Sequence, residues 1–198
     1  MSKHIVAILG SYRHNGATRQ LVEAMLDELR QRGAQTTLID LAHQEIAFCS
    51  NCRACTQQPG TTRGTCTQKD DMQPILDQLE AADALILASP VNYWNCTALF
   101  RRFLERLICY AWWPWGNLSP KPRQRKLHRP AILLATAAMP GFMIPLATGA
   151  PKALRLAANS LGAKVSGKLW IGLTANQPQP GLSPRILARA RRLAATLA

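Results

Sequence analysis

The sequence predicts an α/β fold: a doubly wound, five-stranded parallel sheet in the order 2-1-3-4-5, with helices on both faces, in one domain over residues 1–198. Three observations predict it. Short aliphatic runs alternate with stretches of helical periodicity along the chain. The first run, His4–Leu9, is continuously apolar, as in a strand buried on both faces. Turn-forming residues close the runs, Gly10-Ser11 and Ser89-Pro90 among them. A length of 198 residues with 47% apolar content supports a single sizeable core.

Each element has its own signal. From Thr18, residues Leu21, Val22, Met25, Leu26 and Leu29 form a helical stripe that stops at Gly33. Thr36–Leu41 reads as the second strand, and Phe48–Lys69 as an irregular stretch rich in Cys and Thr. Asp70-Asp71 is read as a helix cap with Pro74 in the first turn, and Met72, Ile75, Leu76 and Leu79 as the buried face. Ala84–Ala88 is the third strand, closed by Ser89-Pro90. Thr97–Cys109 is a helix burying Phe100, Phe103, Leu104 and Leu107, and a Trp/Pro/basic loop follows from Trp112 to Arg129. Ala131–Ala135 is strand four, Lys152–Leu161 a helix and Val165–Leu173 strand five. Ser183-Pro184 opens the last helix, which turns Ile186, Leu187, Ala190, Leu193 and Leu197 inward.

Neither repeats nor low-complexity segments occur. Ile5–Leu9 is too short for the core of a signal peptide, and Pro130–Ala147 is broken by Pro140, Gly141 and Pro145. The expectation is a soluble, cytoplasmic protein without a membrane partner. The net charge of +13 is lopsided: residues 1–100 hold 8 Lys/Arg against 10 Asp/Glu, and residues 101–198 hold 16 against one. That field attracts anions, from a nucleotide phosphate to an acidic partner. Its charge is spread over loop and helices without a nucleic-acid-binding signature, so nucleic acid is not the expected partner.

In the predicted strand order, ligands sit beyond the carboxyl ends of the strands, at the switch between strands one and three. Three loops meet that condition. Gly10–Thr18 runs directly into a helix, and its small and hydroxyl residues suit an anion at the helix N-terminus, with Ser11, Arg13 and Thr18 as donors. The loop ends in neither the Walker form nor G-x-G-x-x-G, so Asp40 is not supported as a ribose ligand. Ser89–Thr97 carries Tyr93 and Trp94 between Asn92 and Asn95, a composition suited to a flat heterocycle. Thr136–Gly141 is small-sided and lets a ring approach its backbone.

Gly-Ser-x-Arg-x-x-Gly-x-Thr after strand one, Asp70-Asp71-Met72, Ser89-Pro90-Val91 with Trp94-Asn95, and Phe103-Leu104-Glu105-Arg106 together resemble the NADPH-dependent FMN reductase family. The resemblance runs in order from about residue 5 to 172. It implies a flavodoxin-like fold that binds FMN non-covalently, commonly as a homodimer or homotetramer. By position, Ser11, Arg13, Asn15, Ala17 and Thr18 would hold the phosphate. Pro90, Val91, Asn92, Tyr93, Trp94 and Asn95, with Thr136, Ala137 and Ala138, would border the isoalloxazine.

Cys49, Cys52 and Cys55 are spaced C-x2-C-x2-C, with Cys66 ten residues further on. Such spacing can ligate a [4Fe–4S] cluster. Iron–sulfur flavoproteins within the resembled family carry a compact cysteine motif in this loop, with a shorter last gap. Packed or reactive free thiols are preferred here, and no metal ligand is assigned. Zinc fits poorly, since no second cysteine pair or histidine pair follows. Cys96 and Cys109 fall in helical pattern as core residues. Trp112, Trp113 and Trp115 are read as interface residues, with roofing of the flavin as the alternative. The run Lys121, Arg123, Arg125, Lys126, His128, Arg129 is read as a solvated loop, with attraction of an NADPH phosphate as its alternative. The histidines at 4, 14, 43 and 128 show no ligand spacing.

The expected function is FMN-dependent transfer of electrons from NADPH or NADH to a small-molecule acceptor: a quinone, azo or nitro compound, flavin or metal ion. No side-chain acid or base is needed for hydride transfer, so no catalytic residue is named. Two alternatives stand beside it: an iron–sulfur electron carrier using Cys49–Cys66, and a binding protein for nucleic acid or an acidic partner.

Overall fold

The computed structural model describes residues 2–123, 126–177 and 179–198. The strands are β1 (His4–Leu9), β2 (Gln35–Asp40), β3 (Ala84–Asn92), β4 (Arg129–Thr136) and β5 (Ala163–Ile171), of which β1, β3 and β4 hold the continuous apolar runs. All pair in parallel, in the order β2-β1-β3-β4-β5, as expected. The connecting helices are α1 (Ala17–Gln31), α2 (Met72–Ala81), α3 (Ala98–Arg106), α4 (Ala150–Ser160) and α5 (Pro184–Ala194).

Alternation within the buried strands divides the core. Ile5, Ala7 and Leu9 of β1, with Ile86 and Ala88 of β3, face α1 and α5. Val6, Ile8, Leu85 and Leu87 face α2, α3 and α4. Burial on both sides is what made these strands read as unbroken apolar runs. Among the described residues, no helix is long and apolar enough to cross a membrane.

Several boundaries differ from expectation for identifiable reasons. Ser89-Pro90 does not close β3, which continues to Asn92. Pro90 lies past Ala88, where the ladder with β1 ends, and pairs only with Thr136 of β4, so its missing N–H leaves no gap on the β1 side. The chain then folds back, and Val91 and Asn92 pair antiparallel with Cys96 and Asn95. Cys96 is thus in a short strand rather than a helix, though buried as expected. Tyr93 and Trp94, the two hairpin residues, both take positive φ, 44° and 66°. The predicted helix to Cys109 ends at Arg106 and tightens into a 3-10 turn over Leu107–Tyr110. The expected open loop after Trp112 contains a small ribbon, Ala111–Trp112 paired with Lys121–Pro122.

The acidic pair before α2 does not cap through Asp71. Asp71 accepts from the Glu45 N–H, while Asp70 accepts from the N–H groups of Met72 and Ala47. Both carboxylates therefore tie the chain after β2 to the start of α2. Ser183 holds the N-cap position of α5 without a side-chain capping bond.

The basic run is in part buried rather than solvated. Arg123 donates to the carbonyls of Cys55, Gln58, Gly60 and Cys109. Arg129 donates to those of Leu79, Glu80, Ala82 and Leu161, closing the C-terminal end of α2. Neither is free to meet a nucleotide phosphate. Arg125 lies outside the described residues.

Candidate functional site

The carboxyl ends of β1, β3 and β4 are cross-linked by hydroxyls. Gly10 N–H donates to Ala88 O at 2.8 Å, and Thr97 Oγ1 donates to Gly10 O at 2.7 Å. Thr97 also caps α3 by accepting from Phe100 N–H. Ser89 Oγ accepts from Thr97 N–H and donates to Pro90 O. Thr18 and Thr136 share a buried hydroxyl–hydroxyl bond of 2.7 Å. Thr174, just past β5, donates through Oγ1 to Ala137 O. Gly10 is required where α3 packs against the chain leaving β1, because a Cβ there would stand 2.8 Å from Phe100 Cβ.

These loops enclose a cavity of about 260 Å3 at the switch point between β1 and β3. Gly16, the N-cap of α1, contributes no side-chain cap, so the first-turn N–H groups of α1 are left for a ligand at the cavity wall. A Cβ at Gly16 would meet Arg13 Cβ at 2.9 Å. Ser11 Oγ accepts from Arg13 N–H, which fixes the turn. The donor set (backbone N–H, hydroxyls and one guanidinium) is that of a phosphate cradle.

Of the residues expected to hold a cofactor, Ser11, Arg13, Ala17, Thr18, Pro90, Val91, Asn92, Thr136, Ala137 and Ala138 line this cavity. Asn15, Tyr93, Trp94 and Asn95 do not. Asn15 offers its carbonyl to Gln20, and Trp94 O accepts from Gly149 N–H. Asn95 Oδ1 accepts from Cys96 N–H, and its amide fills the space where a Cβ on Gly149 would lie. Tyr93 and Trp94 project outward, 94% and 59% exposed. Tyr12, Gly16, Thr97, Thr174 and Ala175 complete the lining. Thr174 and Ala175 were readable only by extending the strand-end rule to strand five.

The irregular stretch after β2 brings Cys49, Cys52, Cys55 and Cys66 to one small pocket, joined by Arg53, Gln68 and Arg106. All are free thiols. Burial pushes the Cys55 thiol up to about 11, and the neighbouring Cys66, Cys49 and Cys52 add to the rise. A hydrogen bond from Ala54 N–H lowers the exposed Cys52. Among the described residues, no three of these sulfurs come within 4.8 Å of one another, which does not suit a single tetrahedral ion. Arg106 is buried beside them, bonding Asp70 twice, Ala47 O at 2.9 Å and Cys66 Sγ at 3.5 Å. Burial alone would raise Asp70, but the hydrogen bonds from Arg106, Ala47 and Met72 outweigh it and hold this carboxyl below its usual range.

Arg53 sits in this motif with φ of 60°. Its guanidinium lies 3.9 Å from the ring centre of Trp113 and 4.1 Å from that of Trp115. Within one chain, then, the tryptophans clamp the cysteine stretch, and Trp112, Trp113 and Trp115 are absent from the lining of the three-loop cavity.

The sequence profile of NADPH-dependent FMN reductases matches residues 4–169. The chain belongs to this family. Its relatives include an iron–sulfur flavoprotein of Archaeoglobus fulgidus, 36% identical over 105 residues, covering 53% of this chain and 46% of the relative. Another, from Methanosarcina thermophila, is 31% identical over 104 residues, covering 52% of each chain. The chain spans about half the length of the curated relatives it matches. In fold, this FMN reductase family member is similar to an NAD(P)H:quinone oxidoreductase from Methanothermobacter marburgensis, with a TM-score of 0.71 at 19% identity and 100% of both chains covered. It is also similar to an FMN-dependent NADH-azoreductase of Bacillus anthracis, with a TM-score of 0.70 at 12% identity over 98% of this chain and 99% of that one. These likenesses establish the flavodoxin-like fold.

Proposed function

We propose that this protein binds FMN in the three-loop cavity and passes electrons from NADPH or NADH to a small-molecule acceptor such as a quinone, azo or nitro compound, flavin or metal ion. The observation that carries the reading is the uncapped N-terminus of α1 opening onto a hydroxyl-lined cavity at the switch point. First-turn N–H groups, Ser11, Thr18 and Arg13 bind the phosphate, with Asn15 beside them at the loop's outer edge. Pro90, Val91 and Asn92 form one wall of the ring site and Thr136, Ala137 and Ala138 the other. Tyr93, Trp94 and Asn95 shape its rim from the hairpin. When bound, FMN supplies the hydride and electron chemistry, while these residues orient the ring and exclude water. Membership of the FMN reductase family supports the reading. A homodimer or homotetramer in the cytoplasm is proposed with it.

The test is reconstitution with FMN, followed by anaerobic addition of NADPH and of NADH. Stoichiometric uptake and bleaching of the flavin bands by either nucleotide is the expected result. Failure to retain FMN after reconstitution overturns the proposal.

A second reading is favoured by one observation: four cysteines of the C-x2-C-x2-C and Cys66 set face a single pocket beside Arg106. The protein then relays electrons through a [4Fe–4S] cluster, in keeping with relatives described as iron–sulfur flavoproteins. The donor set fits, but the pocket of about 20 Å3 has room for one water, so the stretch must open to admit a cluster. Analysis of iron and acid-labile sulfide in anaerobically purified protein decides between the readings. Four of each per chain establishes the carrier, and neither removes it.

A further inference from the structure

Histidines 14 and 43 are 29 positions apart in the sequence, and no spacing rule joins them. The fold does. His14 lies in the loop after β1 and His43 in the turn after β2, and their rings approach to 5.1 Å between centres at an interplanar angle of 32°. Asp40, the last residue of β2 and a buried carboxylate, lies beside them. His14, Asp40 and His43 each bring one ligating atom within 4.8 Å of the other two. Among the described residues they are the one His/Cys/Asp/Glu group of three meeting that condition.

We propose that His14, Asp40 and His43 form a binding site for a divalent transition ion of the zinc or nickel class. Donor type points to that class, since two imidazoles and one carboxylate suit borderline ions better than calcium or magnesium. His43 Nδ1 and Asp40 Oδ2 are 3.0 Å apart. Two donors each about 2.1 Å from one ion subtend about that separation, so one ion can bridge the two atoms. The ion binds the neutral imidazoles and the ionised carboxylate, so acidification releases it. Asp40 is already held in place, because Arg19 pairs with Oδ2 and Ala42 N–H bonds Oδ1 at 3.1 Å. Both imidazoles are exposed, so His14 can close the remaining gap by side-chain rotation, and the outer coordination positions stay open to water. The Arg19 charge works against the ion, which sets the site as a modest one. It is separate from the thiol pocket, whose lining contains none of these residues.

The test uses the full chain with its thiols reduced, and Ni2+ as a paramagnetic probe read on the histidine ring protons by NMR. Expected is selective broadening of the His14 and His43 signals at substoichiometric Ni2+, with His4 and His128 remaining sharp, and reversal by excess Zn2+. His43→Gln and His14→Gln, both at exposed positions, each weaken the apparent affinity by about tenfold or more, and Asp40→Asn by about tenfold. Broadening of all four histidines alike overturns the proposal. So does an unbroadened His14 and His43 while thiolate-to-nickel absorbance shows the ion in the cysteine pocket. Neither result depends on flavin binding, which is read separately from the flavin absorbance.

Discussion

Arg129 acts as a fastener rather than as part of a charged surface. Its guanidinium meets four carbonyls, three of them at or just past the end of α2 and one at the end of α4. Replacing it with Met strands those oxygens, and we expect a loss of about 3 kcal/mol, seen as a lower urea midpoint at unchanged slope. Trp94 presents the opposite case. A bulky residue at φ of 66° carries backbone strain that glycine relieves, so Trp94→Gly should raise stability by about 0.5–1 kcal/mol and lift Tm by a few degrees. Neither role was legible in the sequence. A string of Lys and Arg reads as solvated surface until the carbonyls it meets are known, and the sign of φ at Tyr93-Trp94 depends on a hairpin that Pro90 seemed to forbid.

At the scale of elements, the helices and strands were largely readable because their apolar periods are long and clean. The errors gather where tertiary contacts override local signals. Asp70 and Asp71 look like helix caps; Asp70 does accept from Met72 N–H at the start of α2 while also holding Ala47, but Asp71 ties down Glu45 instead. The N-terminus of α1 carries a specific prediction. Gly16→Val puts a side chain against Arg13 where a Cβ already stands at 2.9 Å from its Cβ. We expect FMN affinity to fall by about tenfold, or 1.4 kcal/mol, with the far-ultraviolet circular dichroism unchanged. Flavin fluorescence titration of both proteins measures it.

For the whole molecule, the rule that ligands gather beyond the strand ends located the cavity from sequence alone, since strand order and loop position follow from the alternation of elements. Which side chains turn inward did not follow: Asn95 spends its side-chain oxygen on Cys96 N–H within its own turn, and Asn15 is absent from the cavity lining. Assembly of the cysteine stretch onto α3 gives a pH signature. Asp70 is held below its unfolded value, so its contribution is complete above about pH 4 and is lost as pH falls through the lower folded value. The stability difference between the wild type and Asp70→Asn, present at neutral pH, should therefore close in acid. Denaturant melts from pH 7 down to about pH 2 follow it.

The hydroxyl bond between Thr18 and Thr136 joins residues 118 positions apart. A nascent chain that has reached only α3 possesses the whole turn from Ser11 to Thr18, yet lacks the strand that braces it. The wall of the cavity is thus finished only when β4 has been made, so the shape of the pocket depends on completion of the sheet.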